Sequence, residues 1–487
     1  MGKIVNISEP WKGYSFEEVE TFVKEEIGGI NDVLDQILPS SADAGGEDES
    51  WQDDNYSSVE GAIKGEFRSI EGKINDAYGD RAVPLTFEAS EDGVKVFFNC
   101  YDSEEATRTV EVSTDGGTTW RSFTSENYDE EENTPIATLN AGEKALVKGD
   151  NEAMGYYSES EGDIMYAGSF RVVGRCYVYG NVMSLLDSQN FRTKKDVAEY
   201  AFFSLFVANY GEWSNEDVLS HPAKRLVLPA TTLAHKCYAF MFCNCASLVS
   251  APELPATTLA DICYYKMFSG CASLVGAPVL PATTLVRSCY GGMFEGCTSL
   301  ENAPALPATT MVRMCYANMF DGCVSLVNAP ALPATTLAER CYYNMFFGCT
   351  SLMNAPALPA TTLGDYCYYG MFEGCTSLEN APALPATNIN SSCYRRMFYG
   401  CESLAAAPVL PATYGLVSGC YEQMFTNCTN LSYIKAMFFA RPGVDITHEW
   451  VKGVSATGTF VKNAAATWTL TGNSGIPTGW TVETATE

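Results

Sequence analysis

Cysteine is the residue type with the most chemistry to offer in this chain: there are nineteen, and sixteen fall into eight pairs whose members lie eight residues apart. The first members are Cys237, Cys263, Cys289, Cys315, Cys341, Cys367, Cys393 and Cys420, and the mates run from Cys245 to Cys428. Thiols so spaced could be disulfide partners, metal ligands, nucleophiles or packing material. A zinc site needs four converging thiolates or imidazoles, yet the only histidines are His221, His235 and His448, none at ligand spacing. A nucleophilic thiol needs a base within hydrogen-bond reach, and the same scarcity argues against one. The acidic run Asp129–Glu132 reads as a solvated loop, and no phosphate-binding glycine loop followed by Lys-Ser or Lys-Thr occurs. The chain is expected to be non-enzymatic, with no cofactor and no bound metal. Its start, "MGKIVNISEPWKGYSFEEVE", lacks an apolar segment behind basic residues, and no apolar run is long enough to span a bilayer. Folding in a reducing cytoplasm is therefore expected, where stable disulfides are unusual. Free, buried thiols that pack as small apolar groups are favoured over disulfides between neighbouring repeats and over metal.

The cysteines are positioned by a repeat. "LPAT" begins at Leu228, Leu254, Leu280, Leu306, Leu332, Leu358, Leu384 and Leu410, a period of 26 residues through eight starts, and an insertion near Gly415 lengthens one loop. Each unit reads Leu-Pro-Ala-Thr-Thr-Leu-x-x-x-Cys-Tyr-x-x-Met-Phe-x-Gly-Cys-x-Ser-Leu. In the fifth unit Leu337, Cys341 and Met345 recur every four residues beside Tyr342 and Phe346, which predicts a short helix with one apolar face. Thr335 or Thr336 would cap its start. Its end is marked by Gly270, Gly296, Gly322, Gly348, Gly374 or Gly400, and by Asn244 and Asn427 in the outer units; these residue types tolerate the left-handed conformation. Pro356 and Pro359 confine any strand to a few residues near Leu352–Ala355. One unit cannot bury its own apolar face, but stacking on neighbours makes a continuous core with ladders of Cys, Met, Phe, Tyr and Leu. Each Leu, Met or Phe so buried contributes roughly 1.5–3 kcal/mol.

The repeats also supply an internal comparison. Core and turn places hardly change, whereas the three residues before the first cysteine, the two after Tyr and the one after Phe vary. In the later units those places hold Tyr343, Phe347, Tyr366, Tyr369, Arg395, Arg396 and Tyr399. Tyr and Arg exposed together are enriched at binding surfaces, so this set is the candidate recognition face; a face that packs on a neighbouring subunit is the alternative.

The flanks differ in character. Of the net charge of −29, most lies early: residues 1–227 hold 44 Asp+Glu against 19 Lys+Arg, and residues 228–434 hold 11 against 7. Nothing here suits nucleic acid or an anionic membrane. In the first 80 residues Ser15 to Glu18 is a capping box, and Val23, Ile27, Ile30, Leu34 and Ile37 follow at coiled-coil spacing. A second stripe, opened by Ser57 to Glu60, carries Ile63, Phe67, Ile70 and Ile74. These residues are the candidate oligomerisation seam, with a trimer expected. Residues 82–180 read as short strands, and Ser113-x-Asp115-x-Gly117-x-Thr119-Trp120 fits the Asp-box hairpin best known from sialidase propellers. One box without an arginine cluster predicts a structural turn. Residues 200–211, "YAFFSLFVANYG", resemble a degenerate unit, with Leu205-Phe206 in place of Met-Phe; Trp450, Trp468 and Trp480 would cover the other end of the stack.

The 26-residue unit resembles the BspA-like leucine-rich repeat, a surface-protein repeat of gut anaerobic bacteria and their bacteriophages. "MFEGCTSLENAPALP" at 293–307 places Phe294, Cys297, Leu300 and Pro307 in that family's apolar and turn positions. The unit is longer than the family's usual one, with Ala-Pro where it carries β-branched strand residues, and the resemblance covers about residues 182–487. "EPWKGYSFEEVETFVKEEI" resembles the N-terminal segments of phage fibre proteins from the same group. The expected fold class is thus a repeat solenoid of BspA-like leucine-rich repeats, with a short helix and a short strand per 26-residue unit. A small β-sandwich-like, Ig-like domain and an N-terminal helical, coiled-coil stem precede it. The expected divisions are 1–81 for attachment and oligomerisation, 82–180 for the β-rich spacer, 181–227 for an N-terminal solenoid cap, 228–434 for the eight units and 435–487 for a β-rich C-terminal cap. The resemblance implies a bacteriophage virion fibre, head or tail, that is made in the bacterial cytoplasm and displayed on the virion surface. Its implied partners are further copies of itself, other virion proteins through the N-terminal segment, and a bacterial surface glycan or protein, with no nucleic acid and no membrane insertion. The alternative is a bacterial cell-surface adhesin that binds host matrix or glycans.

Overall fold

The structure, a computed structural model, describes residues 80–127, 133–159, 161–206, 218–220, 224–411, 416–439, 443, 445–466 and 469–485. The stem, its capping boxes and seam, the run 129–132, His221, Gly415 and Trp468 lie outside the described residues. Residues Val83–Glu487 form one compact unit. No helix among the described residues is long and apolar enough to cross a membrane.

Alternating apolar residues build two sheets at the start of that unit. The larger sheet uses β1 (Leu85–Ala89), β3 (Thr109–Ser113), β4 (Arg121–Thr124), β7 (Lys144–Lys148) and β11 (Cys176–Asn181). The smaller uses β2 (Val94–Cys100), β5 (Glu126–Asn127), β6 (Ala137–Leu139) and β10 (Ser169–Val173), and β8 (Gly155–Ser158) pairs with β9 (Asp163–Tyr166) as a separate hairpin. Leu85, Phe87 and Val147 from one sheet meet Val96, Phe98 and Phe170 from the other in a single core, with the Phe87 and Phe170 rings 5.1 Å apart. The larger sheet does not stop at residue 180. Two short strands, β12 (Val218–Ser220) and β13 (Leu226–Val227), add to β11 in parallel, and Lys224 between them bonds Glu88 at 3.0 Å and the Tyr179 hydroxyl at 2.9 Å. The same apolar core then continues from Leu85 through every repeat to Trp480.

The Asp-box closes the β3–β4 hairpin. Asp115 accepts from the backbone amides of Thr118 and Thr119 at 3.0 and 2.9 Å and from the hydroxyls of Ser113 and Thr119 at 2.8 and 2.6 Å. These bonds, that from the Thr119 hydroxyl foremost, hold its carboxyl down at about 2. Every donor is local, so the residues of this motif serve the turn.

Among the described residues the repeats contain no helix, which corrects the expectation of one per unit. Three residues per coil adopt positive φ at intervals of four: Arg340 at 55°, Asn344 at 50° and Gly348 at 66° in the fifth unit. A left-handed residue at every fourth place ends any α-helix before its first turn closes. The amides divide into two sets instead. Those of Cys341, Tyr343, Met345, Phe347 and Cys349 donate to the carbonyl three residues back, at 3.1–3.3 Å. Those of Arg340, Tyr342, Asn344, Phe346 and Gly348 reach the next coil, 25 residues ahead, at 2.7–3.1 Å. Each coil is thus a string of tight turns, and each positive-φ residue is third in its turn, where Gly and Asn are favoured. The backbone need read from Gly348 and its counterparts is real; Gly270 to Gly400, Asn244 and Asn427 all have positive φ. The expected strand near Leu352–Ala355 reduces to one parallel bridge, Asn354 with Asn380.

Stacking makes the ladders. Tyrosine rings run from Tyr238 to Tyr421 with Phe202 beneath, at spacings of 5.5–6.1 Å. Phenylalanine rings run from Phe206 to Phe425 at 5.2–5.8 Å. Phe202 and Phe206 place residues 200–206 as a coil of the stack, in keeping with the degenerate unit read there. At the other end Phe438 lies on Tyr421 and Trp450 on Phe425, and the parallel strands β14 (Tyr433–Ala436), β15 (Thr459–Lys462) and β16 (Thr481–Thr484) widen the bridge ladder into a sheet.

All nineteen cysteines are free thiols and all but Cys243 are buried. The second thiol of each pair from Cys271 to Cys428 donates to the carbonyl of a Phe in the preceding coil, at 2.9–3.2 Å. An S–H donor at this place explains why cysteine, and not alanine or valine, recurs there. Burial pushes the thiols up, to about 12 for Cys237, Cys315 and Cys323, which keeps them protonated and unreactive.

Candidate functional site

With core and backbone fixed by period, the outer corners of the turns are among the few places where chemistry can vary. Four such columns run up the stack. The first precedes each first cysteine, the second follows each core Tyr, the third is the next residue, at positive φ, and the fourth follows each core Phe. The seven candidate residues occupy these columns in the fifth to seventh units and are all half-buried. They are half-buried because corners lean on neighbouring coils, as Tyr343 does on Tyr369.

The structure brings six of the seven together. Tyr343 and Tyr369 stack with ring centres 4.7 Å apart and planes 8° from parallel, and Tyr366 lies tilted 6.2 Å from Tyr369. The Arg395 guanidinium sits 5.8 Å from the Tyr369 ring, and that of Arg396 4.2 Å from the Tyr399 ring. Phe347 is in the fourth column, and no ring partner joins it to the others.

Sequence reasoning missed the acids that hold this patch. Arg395 pairs with Glu422 at 3.0 Å. Arg396 grips buried Glu373 through Nε at 2.7 Å and through a second, shorter bond, and donates to Gln423 at 3.0 Å. The Glu373 carboxylate holds the guanidinium above its ordinary range. Arg340, also missed, lies 5.0 Å from the Tyr366 ring. The signal was available: Arg395 and Glu422 fill the same column one period apart, and Glu373 and Arg396 fill adjacent columns of successive coils. Nearer the N-terminal end the fourth column holds Glu295 and Asp321, and Glu295 pairs with Lys266 of the third column at 3.0 Å.

Residues 223–353 and 342–438 match the family model of the BspA type leucine rich repeat region, in six copies. The repeat region is of the BspA type. Neither the curated proteins nor the solved structures contain a match to the chain. Within this BspA-type stack no group of three or more His, Cys, Asp or Glu among the described residues is placed to hold a metal. The arrangement offers flat rings, paired charges and amide groups, which suit recognition.

One fourth-column acid has no cation of its own. Burial and then the nearby Glu295 charge push the Asp321 carboxyl up to about 7, against the opposing pull of Lys266. An acid raised in the folded state stabilises fully below its unfolded value near 4, and the benefit is lost as pH rises through about 7. Asp321→Asn is expected to flatten thermal stability between those limits and to raise it at pH 8 by about 1 kcal/mol, solvent at the carboxylate keeping the gain small. Melting curves across pH check this. An unchanged slope would remove Asp321 as its cause. Ser269 and Thr426 hold the same column uncharged, so the coil accepts such residues.

Proposed function

We propose that the chain is a non-catalytic recognition protein, a bacteriophage virion fibre that attaches to a bacterial surface through the Tyr–Arg patch of its fifth to seventh units. The observation that carries this is the gathering of four tyrosines, a phenylalanine and two arginines on these columns in three adjacent coils; the other aromatic residues on them, Phe240 and Tyr265, form a separate pair near the start of the stack with ring centres 5.4 Å apart. The fibre assignment draws on the N-terminal resemblance to phage fibre segments, and in this reading residues 1–81 join copies of the chain, as a trimer, to other virion proteins. The BspA-type repeat itself favours a second reading, a bacterial cell-surface adhesin that uses the same patch.

Arg396 is unsuited to an alanine test, because its removal strands Glu373. Tyr343→Ala, Tyr366→Ser and Tyr369→Ala are better choices, since Ala239 and Ala317, Ser288 and Ser392 already fill those columns in other units. The triple variant is expected to melt like the parent and to lose most attachment to host cells. Undiminished attachment by the folded variant would rule out this face.

A further inference from the structure

We infer that the patch takes uncharged sugar rings, an inference that rests on the reading of this face as the recognition surface. Three observations point to that chemistry. The first is shape. Tyr343 and Tyr369 stack face to face and so leave ring edges to solvent, and Tyr366 tilts beside them, so a shallow ridge of phenol rings spans adjacent coils. The C–H groups of a hexose pack along such a ridge by dispersion, and its hydroxyls can pair with the phenol groups. Since the rings are half-buried against one another, little rotamer freedom is lost on binding.

The second is charge. Each cation of the patch is already engaged: Arg395 by Glu422, Arg396 by Glu373, and Arg340 by the Tyr366 ring and by Glu339 at 3.8 Å. A carboxylate or phosphate on a partner would have to displace an internal acid. It would also approach a solenoid that holds 11 Asp and Glu against 7 Lys and Arg, so acidic polymers are disfavoured at contact. The third is the rim. Asn427 donates to the Tyr399 hydroxyl at 3.4 Å, and Gln423 accepts from Arg396. Gln423, which also donates to Glu449 at 3.4 Å, is committed, but the Tyr399 phenol and the Asn427 carboxamide each keep a further donor or acceptor and so match sugar hydroxyls.

The test uses the full chain on an array of neutral oligosaccharides (glucans, galactans and mannans) beside uronic-acid and sialylated counterparts, at low and at physiological salt. Expected are binding to a subset of the neutral sugars, little change with salt, and at least about a tenfold loss of affinity in the Tyr343→Ala, Tyr366→Ser, Tyr369→Ala variant. Binding confined to the acidic sugars would overturn the inference. So would the absence of any sugar binding alongside lost cell attachment in the triple variant, which would indicate a protein ligand and leave the proposed function standing. If the folded variant keeps both attachment and sugar binding, the inference and the proposed function fall together.

Discussion

Removing residues 306–331, one whole repeat, is expected to leave a folded stack that is one coil shorter and melts cooperatively, whereas removing Asn344 alone is expected to unravel the coils around it. The contrast follows from the two sets of amides. The long deletion joins Ala305 to Leu332 in the context that Ala331 already gives it, so every amide that bonds between coils still finds a carbonyl in the next coil. Loss of Asn344 removes a positive-φ corner and shortens one four-residue step to three. Met345, Phe346 and Cys349, all buried, would then face the wrong way or lose their counterparts above and below. Burying Met and Phe contributes roughly 1.5–3 kcal/mol each, and broken ladder bonds in a dry core add about 1–3 kcal/mol apiece. In a quasi-one-dimensional stack the damage spreads to the nearest neighbours only. Circular dichroism and thermal melts of the two deletions read the difference directly. Equal tolerance of both would show that the coil is not held by period.

Much of this was legible beforehand. Period, core places, the degenerate coil at 200–206 and the left-handed need at Gly348 all came from residue identities repeated eight times. The helix did not hold, and the reason was also in the sequence. Leu337, Cys341, Met345 and Cys349 keep a strict spacing of four, but four residues overshoot a helical turn by about 40°, so three steps would carry the stripe about 120° round a helix. A strict four is a repeat of turns, and the second column of left-handed corners carried its own sign in Gly292, Asn318, Asn344 and Gly370. The patch was legible as composition but not as structure. No single unit reveals that Glu373 lies under Arg396, because that contact joins different columns of successive coils.

This division of labour bears on how such a chain can diversify. The buried places are locked by neighbours on both sides, so change there is costly in every coil. The corner columns, by contrast, between them hold Ala, Ser, Lys, Tyr, Arg and other residues on an unchanged backbone path. A surface can then be rewritten coil by coil without disturbing the stack, provided that a charge placed on it finds a partner one coil away.

That proviso gives the second large effect: Arg396→Ala is expected to cost about 3–5 kcal/mol, although it removes a half-exposed side chain. The loss comes from what is left behind. The Glu373 side chain is only 10% exposed and Arg396 supplies both of its strong bonds, so truncation leaves a carboxylate in a nearly dry site. Glu373→Ser, which places there the residue that Ser269 provides in the second unit, should recover most of the loss when combined with Arg396→Ala. What remains would measure the Arg396 contact with the Tyr399 ring. Urea denaturation of the parent, both single variants and the double variant closes the cycle, with an expected coupling of about 2 kcal/mol or more. A coupling near zero would mean that the guanidinium is not committed to Glu373 and is open to a carboxylate on a partner. Acidic sugars would then become admissible at the patch.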